Sequence, residues 1–297
     1  MKRRDVVLLM FMGVFVMLFI VALISGLDGL GSRDRFTLSG FGDKVGLVEI
    51  LGPIESSAWA VKQIRHYAEQ DNVPAIVIRL DSPGGGVAAS QEIFEAIGKA
   101  RDQNKYVVVS MGSMAASGAL YVACAADTVV ANPGSLVGSI GVIFQFPVYE
   151  QLLDKVGIRL ETIKSGEFKD VGNPSRTITP REEEMLQSVI DDTFDQFVDV
   201  VAEARNLDRD SVLSFATGAI FTGQQALELG LVDILGDYHD AIDIAGEVTG
   251  IGSDPATIKH VKRQRLGLLD LLGSLWGVDL SIDPIVSGPR IAYIFTY

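Results

Sequence analysis

Short β-branched runs alternate along this chain with stretches whose apolar residues recur at helical spacing. Val45 to Leu51 reads as a strand, Glu55 to Gln70 as a helix, and Ala75 to Leu80 (AIVIRL) as a second strand. A helical pattern at Val87 to Arg101 leads to a strand at Tyr106 to Met111 (YVVVSM) and then a helix from Ala115 to Ala126. Short strands are predicted at Thr128 to Ala131 and Ser139 to Phe144, a helix near Val148 to Val156, and a strand at Arg159 to Ile163. This alternation predicts an α/β class with a largely parallel sheet covered by helices. The best-marked helix is Pro180 to Ala204. Thr179 caps it, Pro180 takes the first position and Glu182 completes a capping box. Its Met185, Leu186, Val189, Ile190, Phe194, Phe197, Val198 and Val201 form a core face.

The two ends read differently. Lys2, Arg3 and Arg4 precede Val6 to Leu27, 22 residues without a charge, enough to cross about 30 Å of hydrocarbon. ALISG at Ala22 to Gly26 offers no good small-x-small cleavage site. A retained single-pass anchor is expected, with the N-terminus in the cytoplasm and the rest of the chain outside the cell membrane. The domains expected are therefore the anchor at 1–27, a Gly/Ser-rich linker at 28–44, a globular domain at 45–250 and a C-terminal extension at 251–297 used in oligomer contacts. In that extension the apolar run Leu266 to Trp276 can lie on the membrane, line a substrate groove or pack on a neighbour, and with Asp270 its one charge and no basic residue it reads best as packing. Pro289 to Tyr297 (PRIAYIFTY) reads as a strand whose edge another subunit covers.

Of 297 residues, 48% are hydrophobic and 21% charged, which makes the bulk globular, and the net charge of −13 argues against nucleic acid. Cys124 is the one cysteine and sits in an apolar run as a buried small residue. His66, His239 and His260 lie in polar contexts that read as solvated surface. With no HExxH, no Cys/His cluster, no Walker sequence and no GxGxxG, neither a metal nor a nucleotide cofactor is expected.

Chemistry concentrates in three places. MGSMAASGALYVACAAD, Met111 to Asp127, sets one hydroxyl, Ser117, on a platform of alanines and glycines. It is either an ordinary helix cap or a nucleophile. Asp81 to Gly86 (DSPGGG) follows a strand directly, and its glycines can present backbone N–H groups to an anion such as an oxyanion. No histidine suits Ser117 as a base, and AASGA is no GxSxG elbow. A lysine held neutral by burial can activate serine instead, and Lys164 and Lys169 in IKSGEFKDVGNPSR are the candidates.

DSPGGG, SMAASGALY, GSLVGSIGVI, KSGEFKD and FTGQQALELGLVD, in this order behind an N-terminal anchor, resemble the signal peptide peptidase A (SppA) family. The likeness covers roughly residues 45 to 240. It implies a ClpP/crotonase-like fold of stacked ββα units, with the 45–250 domain a serine peptidase. It makes Ser117 the nucleophile and Lys169 the general base, with Ser139 orienting the lysine and the N–H groups of Gly85 and Gly118 forming the oxyanion hole. The family's Gly-Gly-Tyr-Tyr-like residues after the serine are GALY here, which alters the pocket wall and leaves the dyad intact.

The resemblance implies no cofactor and no metal. It implies peptide substrates, namely cleaved signal peptides and other short apolar or unfolded segments, and a ring-shaped homo-oligomer, an octamer for a short single-repeat chain. Three rivals differ in substrate or chemistry. They are a stomatin-associated ClpP-class membrane protease, a crotonase-like acyl-CoA enzyme, and a non-catalytic membrane scaffold in which Ser117 does nothing. An outward-facing domain disfavours CoA, which is cytoplasmic.

Overall fold

The β-branched runs form strands where the pattern places them. In chain order the elements begin with β1 (Val45–Leu51), α1 (Ala58–Ala68), β2 (Ala75–Ser82), β3 (Gly84–Gly86), α2 (Val87–Asp102), β4 (Tyr106–Ala116) and α3 (Gly118–Ala123). β5 (Thr128–Ala131), β6 (Leu136–Gly138), β7 (Ile143–Phe144), α4 (Glu150–Val156), α5 (Pro180–Arg205) and α6 (Arg209–Phe215) follow. β8 (Ile220–Thr222), α7 (Gly223–Glu228), β9 (Ile234–Leu235), α8 (Tyr238–Val248), β10 (Thr257–Lys259) and β11 (Ile291–Ile294) complete the set. This computed structural model describes residues 42–260 and 291–294.

The main sheet runs β10-β1-β2-β4-β5-β9 with every pairing parallel. Both faces are covered, so the strands are apolar on both sides. Val48, Ile50, Ile76, Ile78, Leu80, Val107, Val109 and Met111 join the larger core cluster with residues of α1, α2, α3 and α5. Val45, Leu47, Ala75, Val77 and Val108 pack against Ala241, Ile242 and Ala245 of α8 on the opposite face.

β4 is the strand that positions the site. Its first half pairs with β5 and its last three residues with β6, Ala116 lying opposite Gly138. The fork falls at Gly112, where a Cβ would stand 2.7 Å from the Asp81 side chain. β6 in turn pairs antiparallel with β8. A second, antiparallel sheet has the order β3-β11-β7.

Three expectations change. The run Ser139 to Phe144 is not one strand; Ser139 has φ +52° and separates β6 from β7. No strand forms at Arg159 to Ile163, where Leu160 and Ile163 are exposed and no strand among the described residues pairs with the segment. β11 forms within PRIAYIFTY, but this chain itself pairs both of its edges, through β3 and β7, where a second subunit was expected. α5 has the capping box that Thr179 and Glu182 predict. Its apolar stripe is buried only toward the far end, at Phe197, Val198 and Val201; Met185, Leu186 and Ile190 are half-buried and Val189 is exposed.

The expected anchor at 6–27, most of the linker and the run 266–276 lie outside the described residues. Among the described residues no helix is long and apolar enough to cross a membrane.

Candidate active site

β4 passes into α3 through Ser117, whose backbone sits at φ +55°, ψ −118°, a conformation that L-residues rarely adopt and that costs about 1–3 kcal/mol. The turn is fastened from the β6 side. The Ser117 N–H donates to the Gly138 carbonyl at 2.8 Å, and the Ser139 N–H donates to the Ala219 carbonyl at 2.7 Å. Ser117 is 1% exposed, and its Oγ has no hydrogen-bond partner among the described residues. Nor does the side chain cap α3. The cap reading of this serine is therefore set aside, and a buried hydroxyl without a partner calls for another explanation. Ala115, Ala116 and Ala119 are fully buried, and their small side chains let β4 and α3 enter the core.

The glycine loop is built around Ile54. Asp81 braces the fork in β4 by accepting from the Met114 N–H at 3.1 Å. The Gly84 N–H donates to Ser82 Oγ at 3.1 Å, its carbonyl accepts from the Ile54 N–H at 2.7 Å, and the Gly86 N–H donates to the Ile54 carbonyl at 2.9 Å. Successive residues of a strand direct their polar groups to opposite edges, so Gly85 faces the other way. A Cβ on Gly85 would overlap the Ile54 backbone, which reserves this position for glycine. Opposite Gly85 lies Tyr293 of β11, and the far edge of β11 pairs with β7. An extended segment is thus held antiparallel on both sides, next to α3, which packs on both β3 and β11. Gly118 opens α3, so its N–H is one of the first-turn donors without a partner inside the helix.

The candidate lysines lie on the loop 157–179, which contains no helix or strand. Lys164 Nζ donates to Asp170 Oδ1 at 2.5 Å and to the Glu167 carbonyl at 2.8 Å. Lys169 is exposed, and its side chain makes no hydrogen bond or ion pair among the described residues. The structure brings Ser117, Gly138 and Ser139 together and sets Gly85 on the groove beside α3. No hydrogen bond joins Lys169 to Ser117 or Ser139 among the described residues.

Arg176 ties this loop to the start of α5. Its guanidinium donates to Asp170 at 2.8 and 3.1 Å and to Glu182 Oε2 at 2.7 Å. The bonds from Arg176, and then from Lys164, hold the Asp170 carboxyl well below the usual carboxylate range. Arg176 and the Thr179 N–H bring Glu182 down to about 2.

The remaining candidates are structural. Cys124 is buried and its thiol is pushed up to about 12 by that burial. His239 is exposed, but His66 and His260 are half-buried, 5.7 Å apart, with Trp59 5.2 Å from His260, so these two are not the solvated surface their contexts predicted. Among the described residues no group of three or more His, Cys, Asp or Glu could hold a metal ion. Ile54 and Gly138, which shape the site through their backbones alone, carry no signal in the sequence that reveals this role. β11 was legible as a strand, but its partners were not.

The parallel sheet, the forked β4 and the glycine strand beside Ser117 define a ClpP-like α/β fold, and residues 47–136 match the Clp protease family. Residues 99–251 match Peptidase family S49. The chain belongs to that family and is a peptidase homologue. It is 42% identical over 220 residues to a Synechocystis sp. protein provisionally named a protease, covering 74% of this chain and 79% of the relative. An Enterococcus faecium protein provisionally named signal peptide peptidase SppA is 35% identical over 181 residues, 61% of this chain and 53% of its own length. The chloroplastic serine protease SPPA of Arabidopsis thaliana is 30% identical over 266 residues, 87% of this chain and 39% of the relative.

Proposed function

We propose that this chain is a membrane-anchored serine endopeptidase with a Ser-Lys dyad. Its substrates are remnant signal peptides and other short apolar or unfolded segments outside the cytoplasm. The observation that carries the reading is the Ser117 hydroxyl, buried, without a hydrogen-bond partner among the described residues and held on a strained backbone beside a groove that takes an extended strand. The names of the Enterococcus and Arabidopsis relatives support it.

Substrate adds as a strand between β3 and β7, in the place β11 takes here, so its main chain is read by backbone groups and side-chain identity matters little. Ser117 Oγ attacks the scissile carbonyl carbon while neutral Lys169 takes the hydroxyl proton. The oxyanion is held by the N–H groups of Gly85 and Gly118. The tetrahedral intermediate collapses, the C–N bond breaks and the amine leaves with the proton from Lys169. Water, deprotonated by the same amine, then hydrolyses the acyl-enzyme. Ser139, on the same turn as Gly138, orients the lysine.

Lys169 stands on an exposed loop, so the dyad closes when that loop is covered. The exposed Val156, Ile158, Leu160 and Ile163 are the surface a neighbouring subunit covers in a ring-shaped homo-oligomer, an octamer. The anchor at 6–27 places the ring at the cell membrane. Turnover of an internally quenched leucine- and alanine-rich peptide by the full chain tests the assignment. Ser117→Ala and Lys169→Arg are each expected to abolish it, since arginine keeps the charge but cannot be a neutral base. Normal turnover in either variant rejects the dyad.

A further inference from the structure

A lysine acts as a base only when uncharged, and a carboxylate within about 4–6 Å favours the charged form. Lys169 is followed directly by Asp170 and preceded two residues earlier by Glu167, an arrangement that by itself opposes the chemistry. Both acids are committed elsewhere. Asp170 accepts from Lys164 at 2.5 Å and from Arg176 at 2.8 and 3.1 Å. Glu167 pairs with Arg181 at 2.9 Å, and the Arg181 guanidinium also lies over the Phe168 ring, 5.8 Å from its centroid. Two further carboxylates beside this network are engaged as well. Glu182, 1% exposed, holds the far side of Arg176, and Glu150 at the start of α4 accepts from the Thr177 N–H and hydroxyl at 3.1 and 2.9 Å. Lys164, Arg176 and Arg181 each have an acid; Lys169 and Arg159 are the cations of loop 157–179 and the start of α5 that have no ion pair among the described residues, and Glu161, Glu183 and Glu184 are exposed and likewise unpaired there.

We propose that Arg176 and Arg181, with Lys164, are positioning residues that hold the carboxylates of Asp170 and Glu167 away from the Lys169 amine. The cations Lys164 and Arg176 balance Asp170 and Glu182, and Arg181 balances Glu167, so the two acids nearest Lys169 in the sequence each have another cation. The inference rests on Lys169 being the base. It adds that the loop's other cations set the pH range in which that base is neutral. Arg176 does this from a partly buried site and fixes the loop to α5 as well. Arg181 does it from the surface, with a side chain that is mostly exposed.

The test is the pH profile of kcat/KM for the full chain on the quenched peptide. Activity needs the neutral amine, so it rises with pH through the lysine's titration. A released carboxylate favours the ammonium and moves that rise to higher pH. In Arg176→Gln the midpoint is expected to move up by about one pH unit, and in the surface variant Arg181→Gln in the same direction by less. Asp170→Asn added to the first, and Glu167→Gln added to the second, are expected to return the midpoint to that of the unmodified chain. A cation that only shaped the loop would lower kcat without moving the midpoint, and removing its acid partner would restore nothing. An unmoved midpoint in Arg181→Gln, folded and active, overturns the proposal. Lys169→Arg separates the two claims. If that variant keeps normal turnover, the base assignment itself fails; if it is inactive while the Arg181→Gln midpoint stays in place, only the positioning role fails.

Discussion

The Ser117 N–H and the Gly138 carbonyl are joined at 2.8 Å, and this bond fixes the turn on which the candidate nucleophile stands to the neighbouring strand β6. Gly138 has φ +97°, and a Cβ there would lie 2.7 Å from the Phe221 ring and 2.9 Å from the Ala219 carbonyl oxygen. Gly138→Ala is expected to lower stability by about 1–3 kcal/mol and to reduce turnover by more than the loss of folded protein explains. Thermal unfolding and turnover per folded chain check the two parts separately.

The orphan hydroxyl of Ser117 gives a second expectation. Removing a buried polar atom that has no partner costs no hydrogen bond, so Ser117→Ala is expected to hold its unfolding midpoint or raise it while turnover falls about a thousandfold or more. A serine that capped a helix would instead lose about 1 kcal/mol on the same change.

Acid acts on the junction between the loop and α5. Glu182 has its pKa lowered from 4.5 to about 2 by Arg176, so its contribution is present above 4.5 and is lost as pH falls toward 2. Amide exchange at residues 176–186 is expected to quicken over that window. In Glu182→Gln the dependence is expected to weaken, leaving what the Asp170–Arg176 pair contributes.

The strand β11 takes the position proposed for substrate, so a peptide has to displace it. Deleting residues 291–297 is expected to lower the apparent KM for short peptides about threefold or more, because binding is weakened by the fraction of chains whose groove is filled. An unchanged KM places substrate elsewhere.

Periodicity was enough to place β1, β2, β5, α1, α2 and α5, because each buries a face at its own repeat and local pattern decides burial. It failed at Arg159 to Ile163, where an apolar run finds no strand to pair with among the described residues, and at Ser139 to Phe144, where the run opens at positive φ and only its last two residues are a strand. The site was legible as residue types: a serine among small residues, a glycine turn, two lysines. Its assembly was not, since Ile54, Gly138 and Tyr293 act through main-chain position, and the partners of Lys164 and the exposure of Lys169 depend on how a loop without periodic pattern folds.

The most direct measurement is the intact mass of the full chain after incubation with a peptidyl fluorophosphonate, beside Ser117→Ala. One adduct per chain, mapping to Ser117 and absent from the variant, is the expected result and establishes an activated nucleophile. A folded, oligomeric protein that takes up no reagent, or takes it up equally in Ser117→Ala, contradicts the assignment and leaves the ClpP-like fold as a scaffold.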